Sequence, residues 1–123
     1  MKWEKDIDEN VRSGLIELLM LRLLSERDMY GYEIRKALLE RTNGAFNVIE
    51  AALYGPLYRL KKRGLIEDRR VSRPNDKRDR VYYSINDEGR EYLAYGLRQI
   101  DFVFSGVWNL IQGEEGNDGE QNG

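Results

Sequence analysis

The sequence predicts a mainly α-helical fold of the α+β class that carries one small β-hairpin. Three segments with helical spacing of apolar residues come first, a segment of alternating apolar and polar residues follows, and a long helical pattern comes last. With 123 residues, of which 41% are hydrophobic, the chain is long enough for one packed core and short for two. The predicted parts are a polar arm (1–10), a domain of helices and hairpin (11–86), a C-terminal helix (87–112) and a disordered acidic tail (113–123).

The first helical segment, Val11–Leu24, is apolar on almost every side. A helix with so little polar surface must be covered from several directions. Its own domain supplies one cover, and we expect a second subunit to supply another. The next segment, around Tyr30–Leu38, has the spacing of a shorter amphipathic helix that ends near Asn43–Gly44.

The third helical pattern separates a packing face from a free face. Its apolar stripe consists of Ile49, Ala52, Leu53, Pro56, Leu57 and Leu60, and the opposite face carries Tyr54, Tyr58, Lys61 and Lys62. Gly64 is suited to close the helix in the left-handed conformation. Gly55–Pro56 interrupts the pattern, because proline lacks a backbone donor. Either the helix begins late or it bends there, and the sequence leaves both open.

A hairpin follows the third helix. Residues 65–73 predict a strand weakly, whereas Val81–Ile85 alternates clearly and Pro74–Asp76 supplies the turn between them. Three helices followed by a hairpin is the order of the winged helix-turn-helix fold, in which the hairpin forms the wing.

Positive charge is concentrated in the third helix and the hairpin. Residues 54–83 carry ten Lys or Arg and four acidic residues, a local net charge of +6, although the whole chain has a net charge of -2. Such a patch attracts the phosphates of double-stranded DNA through counterion release. The predicted DNA-binding residues are Tyr54, Tyr58, Arg59, Lys61 and Lys62 on the helix, and Arg73, Lys77, Arg78 and Arg80 on the hairpin. The alternative is that both are merely solvated charged surfaces.

The C-terminal helix is predicted to join two copies of the chain. Asn86 offers a side-chain cap, and the apolar positions that follow alternate spacings of four and three, as in a coiled coil. The predicted homodimer interface comprises Leu15, Leu19, Leu93, Leu97, Ile100, Phe104, Val107, Trp108 and Ile111. Its aromatic residues have a second interpretation, in which two crossing helices line a pocket for a small hydrophobic or aromatic effector. That pocket would involve Leu97, Asp101, Phe104 and Trp108.

Composition argues against several other classes of protein. The chain has no cysteine and no histidine, so it lacks thiolate and imidazole metal ligands and an ordinary general base. No spacing predicts a phosphate-binding glycine loop or a nucleophile elbow, and we predict no enzyme activity, no metal and no cofactor. No segment has the pattern of a signal peptide or of a membrane span, so we expect a cytoplasmic protein.

Taken together, these segments resemble the PadR family of bacterial transcriptional regulators. The resemblance covers about residues 12–111 and lies in Gly14–Leu19, Tyr30–Ile34, parts of Leu53–Ile66, and Arg80–Gly89. It implies a winged-helix homodimer that binds palindromic operator DNA, usually as a repressor that a small effector releases. The single final helix resembles the smaller subfamily.

Two positions depart from the family pattern. Ala51–Ala52 replaces the small and hydroxyl residues that often precede Leu-Tyr, and Leu97 lies about where drug-responsive members place a stacking tryptophan. A rival interpretation keeps the winged fold but assigns it to protein–protein binding as an adaptor. Steep loss of DNA affinity with rising salt would favour the regulator over the adaptor.

Overall fold

A computed structural model describes the backbone of residues 2–122 and the side chains of residues 2–113. The chain divides into two compact units, residues 1–93 and residues 94–123. In the described part, the elements in chain order are α1 (Glu4–Ser13), α2 (Ile16–Leu24), β1 (Met29–Tyr30), α3 (Gly31–Arg41), a 3-10 helix (Glu50–Leu53), α4 (Tyr54–Lys62), β2 (Ile66–Val71), β3 (Arg80–Ile85) and α5 (Asp87–Asn122).

The N-terminal region differs from the prediction. Residues 1–10, predicted as a polar arm, contribute most of α1, and the single predicted helix Val11–Leu24 is interrupted at Gly14 and Leu15. Glycine is a poor helix former in the middle of a helix, which favours a break at Gly14. The polar segment forms a helix because charges four residues apart pair on its surface. These pairs are Lys5–Glu9 and Asp8–Arg12.

One apolar core holds the first unit together. Helices α2, α3 and α4 each contribute side chains three or four residues apart, so each presents one face to the centre. The largest fully buried side chains are Met20, Leu21, Leu24, Ile34, Leu38, Leu53, Leu57 and Leu60. The predicted stripe of the third helix is therefore confirmed from Leu53 onward, whereas Ile49 and Ala52, which precede Leu53, are exposed.

The start of α4 resolves the question left open at Gly55–Pro56. The α-helix begins late, at Tyr54, and Pro56 lies in its first turn, where backbone N–H groups need no partner within the helix. The helix ends as predicted, since Gly64 has a φ of 76° and the Leu65 amide donates to the Leu60 carbonyl at 3.0 Å.

The sheet has three antiparallel strands in the order β1-β3-β2. The predicted hairpin is present, with a register that runs from Ile66 opposite Ile85 to Val71 opposite Arg80. The additional strand β1 pairs Tyr30 with Tyr82. The sequence did not predict β1, because a strand of two residues has no periodicity.

Helix α5 starts against the core of the first unit. Asn86 caps it as predicted, since its Oδ1 accepts from the Gly89 amide at 2.8 Å. A Cβ on Gly89 would lie 2.2 Å from the Leu65 carbonyl oxygen, so only glycine fits this approach. The helical backbone continues beyond the predicted end at residue 112. The predicted tail, residues 113–123, lies almost wholly outside the described side chains and stays a prediction.

Candidate nucleic-acid interface

The outer face of α4 presents one tyrosine and one lysine side by side. Tyr58 is 64% exposed, and the Lys62 ammonium lies 6.0 Å from the centre of its ring. Both residues point away from the buried Leu57 and Leu60, which hold the helix on the core. This pair can offer a hydroxyl and an ammonium group to a ligand on the surface.

Tyr54 lies one turn before Tyr58 and is held by its neighbours. Its hydroxyl donates a hydrogen bond to Oε2 of Glu50 at 3.1 Å. A Cβ on Gly31 would approach this hydroxyl to 3.4 Å, so the tyrosine lies against the first residue of α3. Partial burial, followed by the bond to Glu50, raises the pKa of Tyr54, which keeps the phenol protonated and able to donate.

Two other predicted cations on α4 are ion-paired within the protein. Arg59 donates from Nε to Glu17 at 2.9 Å, and Lys61 lies 3.0 Å from Asp68 on β2. The Glu17 carboxylate also accepts from Arg63 at 2.7 Å. These side chains are half exposed, so they add positive potential to the surface while remaining tied to α2 and to the wing.

The predicted cations of the wing fall into two groups. Arg73 donates to the Tyr82 hydroxyl at 2.8 Å, and Arg80 stacks over the Tyr30 ring at 4.5 Å and pairs with Asp76. Within residues 2–113, the side chains of Lys77 and Arg78 have no hydrogen bond or ion pair to the protein. Lys77 and Arg78 can therefore bind a ligand without first breaking a hydrogen bond or ion pair within the described residues.

Sequence reasoning missed the aromatic and cationic cluster at the base of the wing. Tyr30 meets the Tyr82 ring edge-on, with 5.3 Å between the ring centroids. Arg69 lies over the Tyr82 ring at 5.5 Å and forms an ion pair with Asp28. Pairing of β1 with β3 places Tyr30 opposite Tyr82, and pairing of β2 with β3 places Arg69 opposite the same residue. No local pattern in the sequence predicts the pairing of β1. The cluster fixes the wing relative to α3.

A groove of about 400 Å³ lies between the wing, the start of α3 and the start of α4. Its lining includes Tyr30, Tyr32, Glu50, Tyr54, Arg78 and Arg80. Among the described residues, no group of three or more acidic side chains is placed to hold a metal ion. The surface can therefore form hydrogen bonds and ion pairs, which is the chemistry of recognising phosphates and base edges.

The model of the transcriptional regulator PadR-like family matches residues 20–95, more than half of the chain. The chain belongs to this family. The match includes α4, both wing strands and the turn between them, which together carry all the candidate DNA-binding residues. The family and the winged-helix fold predicted from the sequence are therefore confirmed. Members of the PadR-like family are transcriptional regulators rather than enzymes, as the sequence also predicted.

Relatives of this PadR-family regulator support the assignment. It is 36% identical over 88 residues to an uncharacterised protein of Lysinibacillus sphaericus, with 72% of this chain and 80% of that protein covered. It is 31% identical to the structure of a PadR-like transcriptional regulator from Bacillus cereus, with a TM-score of 0.71 and coverage of 84% of this chain and 97% of that one. The structure of Bacillus subtilis PadR in complex with operator DNA shares the fold at 23% identity and a TM-score of 0.61, over 68% of this chain and 46% of that one.

The C-terminal residues of the regulator expose most of their apolar side chains. Large exposed residues of the second unit include Leu97, Phe102, Phe104, Val107, Trp108, Leu110 and Ile111. Ile100 is half-buried, and Asp101 is exposed. Leu93, which we assigned to the dimer interface, is instead buried in the core of the first unit, and Leu15 and Leu19 pack against that same core. The first turns of α5 serve their own chain because Gly89 brings them onto Leu65.

No helix in the described part of the chain is both long enough and apolar enough to cross a membrane.

Proposed function

We propose that this regulator binds operator DNA as a homodimer, with α4 of each copy in a major groove and the wing on the flanking backbone. The supporting observation is that three cations with no ion pair among the described residues lie on two parts of one folded unit, Lys62 on α4 and Lys77 and Arg78 on the wing. Residues 54–83 of this unit have a local charge of +6. Bacillus subtilis PadR, which shares the fold, has a structure in complex with operator DNA, and this supports DNA as the ligand.

The side chains divide by role in this proposal. Lys62, Lys77 and Arg78 neutralise phosphates and supply affinity that depends little on sequence. Tyr58 is exposed enough to meet base edges or phosphate with its hydroxyl and thymine methyl groups with its ring. Arg59 and Lys61 contribute through their charge, because Glu17 and Asp68 hold them. Arg73 and Arg80 mainly orient the wing.

Dimerisation is assigned to α5. The exposed apolar residues between Leu97 and Ile111 are costly to leave in water, and their spacing of three and four suits a partner helix. A dimer with two-fold symmetry places two copies of α4 on one duplex, and its geometry sets the spacing of the half-sites. The operator is then a palindrome.

Regulation follows from the same arrangement. Bound at a promoter, the dimer acts as a repressor by occupying the DNA. A small hydrophobic effector that changes how the two α5 helices cross would rotate the two copies of α4, so that the operator no longer fits both. The exposed aromatic residues Phe104 and Trp108 are the candidate contacts for this effector.

Selection of duplexes from a randomised pool tests the DNA-binding proposal. We expect an enriched motif of two half-sites related by two-fold symmetry, separated by about one helical turn or a multiple of it. Enrichment of a single unsymmetrical site would contradict the dimer. Failure to enrich any sequence, with no binding even at low salt, would contradict the function and favour the adaptor.

Fluorescence tests the effector contacts. The chain has two tryptophans, so Trp3→Phe leaves Trp108 as the only one. We expect flat hydrophobic compounds that release the operator to quench or shift Trp108 emission in this variant, and Trp108→Leu to lose the release. Release that persists in Trp108→Leu and Phe104→Leu would contradict the assignment of the pocket.

A further inference from the structure

Glu50 occupies a fixed place immediately before the recognition helix. It is the first residue of the 3-10 helix that leads into α4, and it is exposed. Its Oε2 accepts the hydrogen bond from the Tyr54 hydroxyl at 3.1 Å. A Cβ on Gly31 would lie 3.3 Å from this Oε2, so the Glu50–Tyr54 pair rests on the first residue of α3. Contacts with α3 and α4 therefore fix the position of the Glu50 carboxylate.

Glu50 places a carboxylate beside the surface that is proposed to bind DNA. Within residues 2–113, no lysine or arginine forms an ion pair with Glu50. The groove that it lines contains Asp76 and Asp79 as well as Arg78 and Arg80, so its charges are mixed and it borders the cations of the wing. Phosphates repel a carboxylate, and Glu50 is therefore unsuited to contacting the DNA backbone. A group that accepts hydrogen bonds is suited to the amino groups of bases.

We infer that Glu50 reads a cytosine in each half-site, by accepting a hydrogen bond from the cytosine N4 amino group in the major groove. The inference rests on the proposed DNA-binding function. Recognition helices contact base edges with their N-terminal residues, and Glu50 lies at that end of α4. Guanine and thymine present acceptors in the major groove, and adenine places its N7 acceptor beside its amino group, so cytosine suits a carboxylate best.

Tyr54 is the positioning residue of this pair. Its hydroxyl engages Oε2, and no hydrogen bond from the described residues engages Oε1. One oxygen is thus held by the protein while the other is available to the base. Loss of the Tyr54 hydroxyl should weaken the preference for cytosine by releasing the carboxylate from its fixed orientation, while Glu50 itself stays in place.

The test uses the duplex selected by the full-length wild-type chain and its single-base variants. We expect the wild type to prefer cytosine at one position of each half-site by at least about tenfold. Glu50→Ala should lose this preference, and Glu50→Gln should shift it toward adenine, because glutamine pairs with adenine N6 and N7. Glu40→Gln is the matched control, since it removes an exposed carboxylate at the far end of α3 and should keep the preference for cytosine.

Double substitution tests the positioning role. Tyr54→Phe should reduce the preference for cytosine in the wild-type background and change nothing further in the Glu50→Ala background. Thermal unfolding of each variant separates a lost contact from a misfolded chain. A preference for cytosine that survives in folded Glu50→Ala would overturn the inference while leaving DNA binding intact. A wild type that binds no DNA would overturn both the inference and the proposed function.

Discussion

Arg59 on α4 donates a hydrogen bond from Nε to Oε2 of Glu17 on α2, over 2.9 Å. The same carboxylate accepts from Arg63, so one acidic residue of α2 holds two arginines of the recognition segment. This contact orients α4 on the core, and it also keeps the two guanidinium groups from contacting phosphates directly.

Glu17→Gln should therefore strengthen non-specific DNA binding. The substitution releases Arg59 and Arg63 to find phosphates, and each new phosphate contact should steepen the dependence of log affinity on log salt by about 0.9. Titration of a random-sequence duplex at several salt concentrations measures this slope. Glu9→Gln removes an equally negative charge from α1 and should leave the slope unchanged. A Glu17→Gln slope equal to that of the wild type would count against this role.

Gly89→Ala should destabilise the first unit by about 2 kcal/mol, because the new methyl group would overlap a neighbouring element. It would lie 2.2 Å from the Leu65 carbonyl oxygen and 2.6 Å from a side-chain carbon of Ile85. Chemical denaturation measures the change in the free energy of unfolding. Gly14→Ala, where no atom lies within 4 Å of the added carbon, is the control and should cost little. Equal stability of the two variants would show that α5 does not approach Leu65 so closely.

Asn86→Ala should cost about 1 kcal/mol in the free energy of unfolding, since it removes the cap of α5. The Asn86 side chain accepts from the Gly89 amide and donates to the Gly64 carbonyl, and it thereby ties α5 to the end of α4. Asn86→Asp keeps the acceptor and loses only the donor, so its loss should be smaller. The prediction fails if aspartate is as costly as alanine.

Neighbouring arginines of the wing should behave differently when each is replaced by alanine. Arg80→Ala removes the stacking on Tyr30 and the pair with Asp76, which should lower the free energy of unfolding. Arg78→Ala should weaken DNA binding and leave stability unchanged, because its side chain has no hydrogen bond or ion pair among the described residues. Unfolding curves measure the stability of both variants, and DNA titrations measure their affinity for DNA. The reverse pattern would contradict these assignments.

An ion-pair cluster should make stability depend on acidic pH. Hydrogen bonds from Arg41 and then from Arg22 lower the pKa of Glu26 from 4.5 to about 2. Because this pKa is lower in the folded state, the stabilisation is complete above pH 4.5 and is lost as the pH falls toward 2. Glu26→Gln should lower the melting temperature at neutral pH, and its difference from the wild type should shrink across that window. A difference that does not vary with pH would contradict the role of the cluster.

Local chemistry explains which features could be predicted from the sequence. The cap at Asn86, the turn at Gly64 and the buried stripe of α4 each depend on residues within a few positions of one another, and all three are present. The orientations of Arg59 and Arg80 could not be predicted in this way. They depend on Glu17 and Tyr30, which are distant in sequence and come close only through tertiary packing.

The break at Gly14 and the burial of Leu93 are two features that the periodicity of the sequence predicted incorrectly. Periodicity alone joins residues 11–24 into one helix and assigns Leu93 to a coiled-coil seam. The structure separates α1 from α2 at Gly14, a poor helix former, and places Leu93 in the core, because the close approach at Gly89 brings the start of α5 onto Leu65. Competing interactions between elements decide such positions.

The salt dependence of DNA affinity is the most direct test of DNA binding through α4 and the wing. We compare the wild type, the double variant Lys62→Ala/Arg78→Ala and the control Lys2→Ala/Lys5→Ala, each on the selected duplex. We expect log affinity to fall linearly with log salt. The first pair of substitutions should reduce this slope by about 2, and the control should leave it unchanged. Affinity that does not vary with salt, or equal slopes for both double variants, would contradict DNA binding through α4 and the wing.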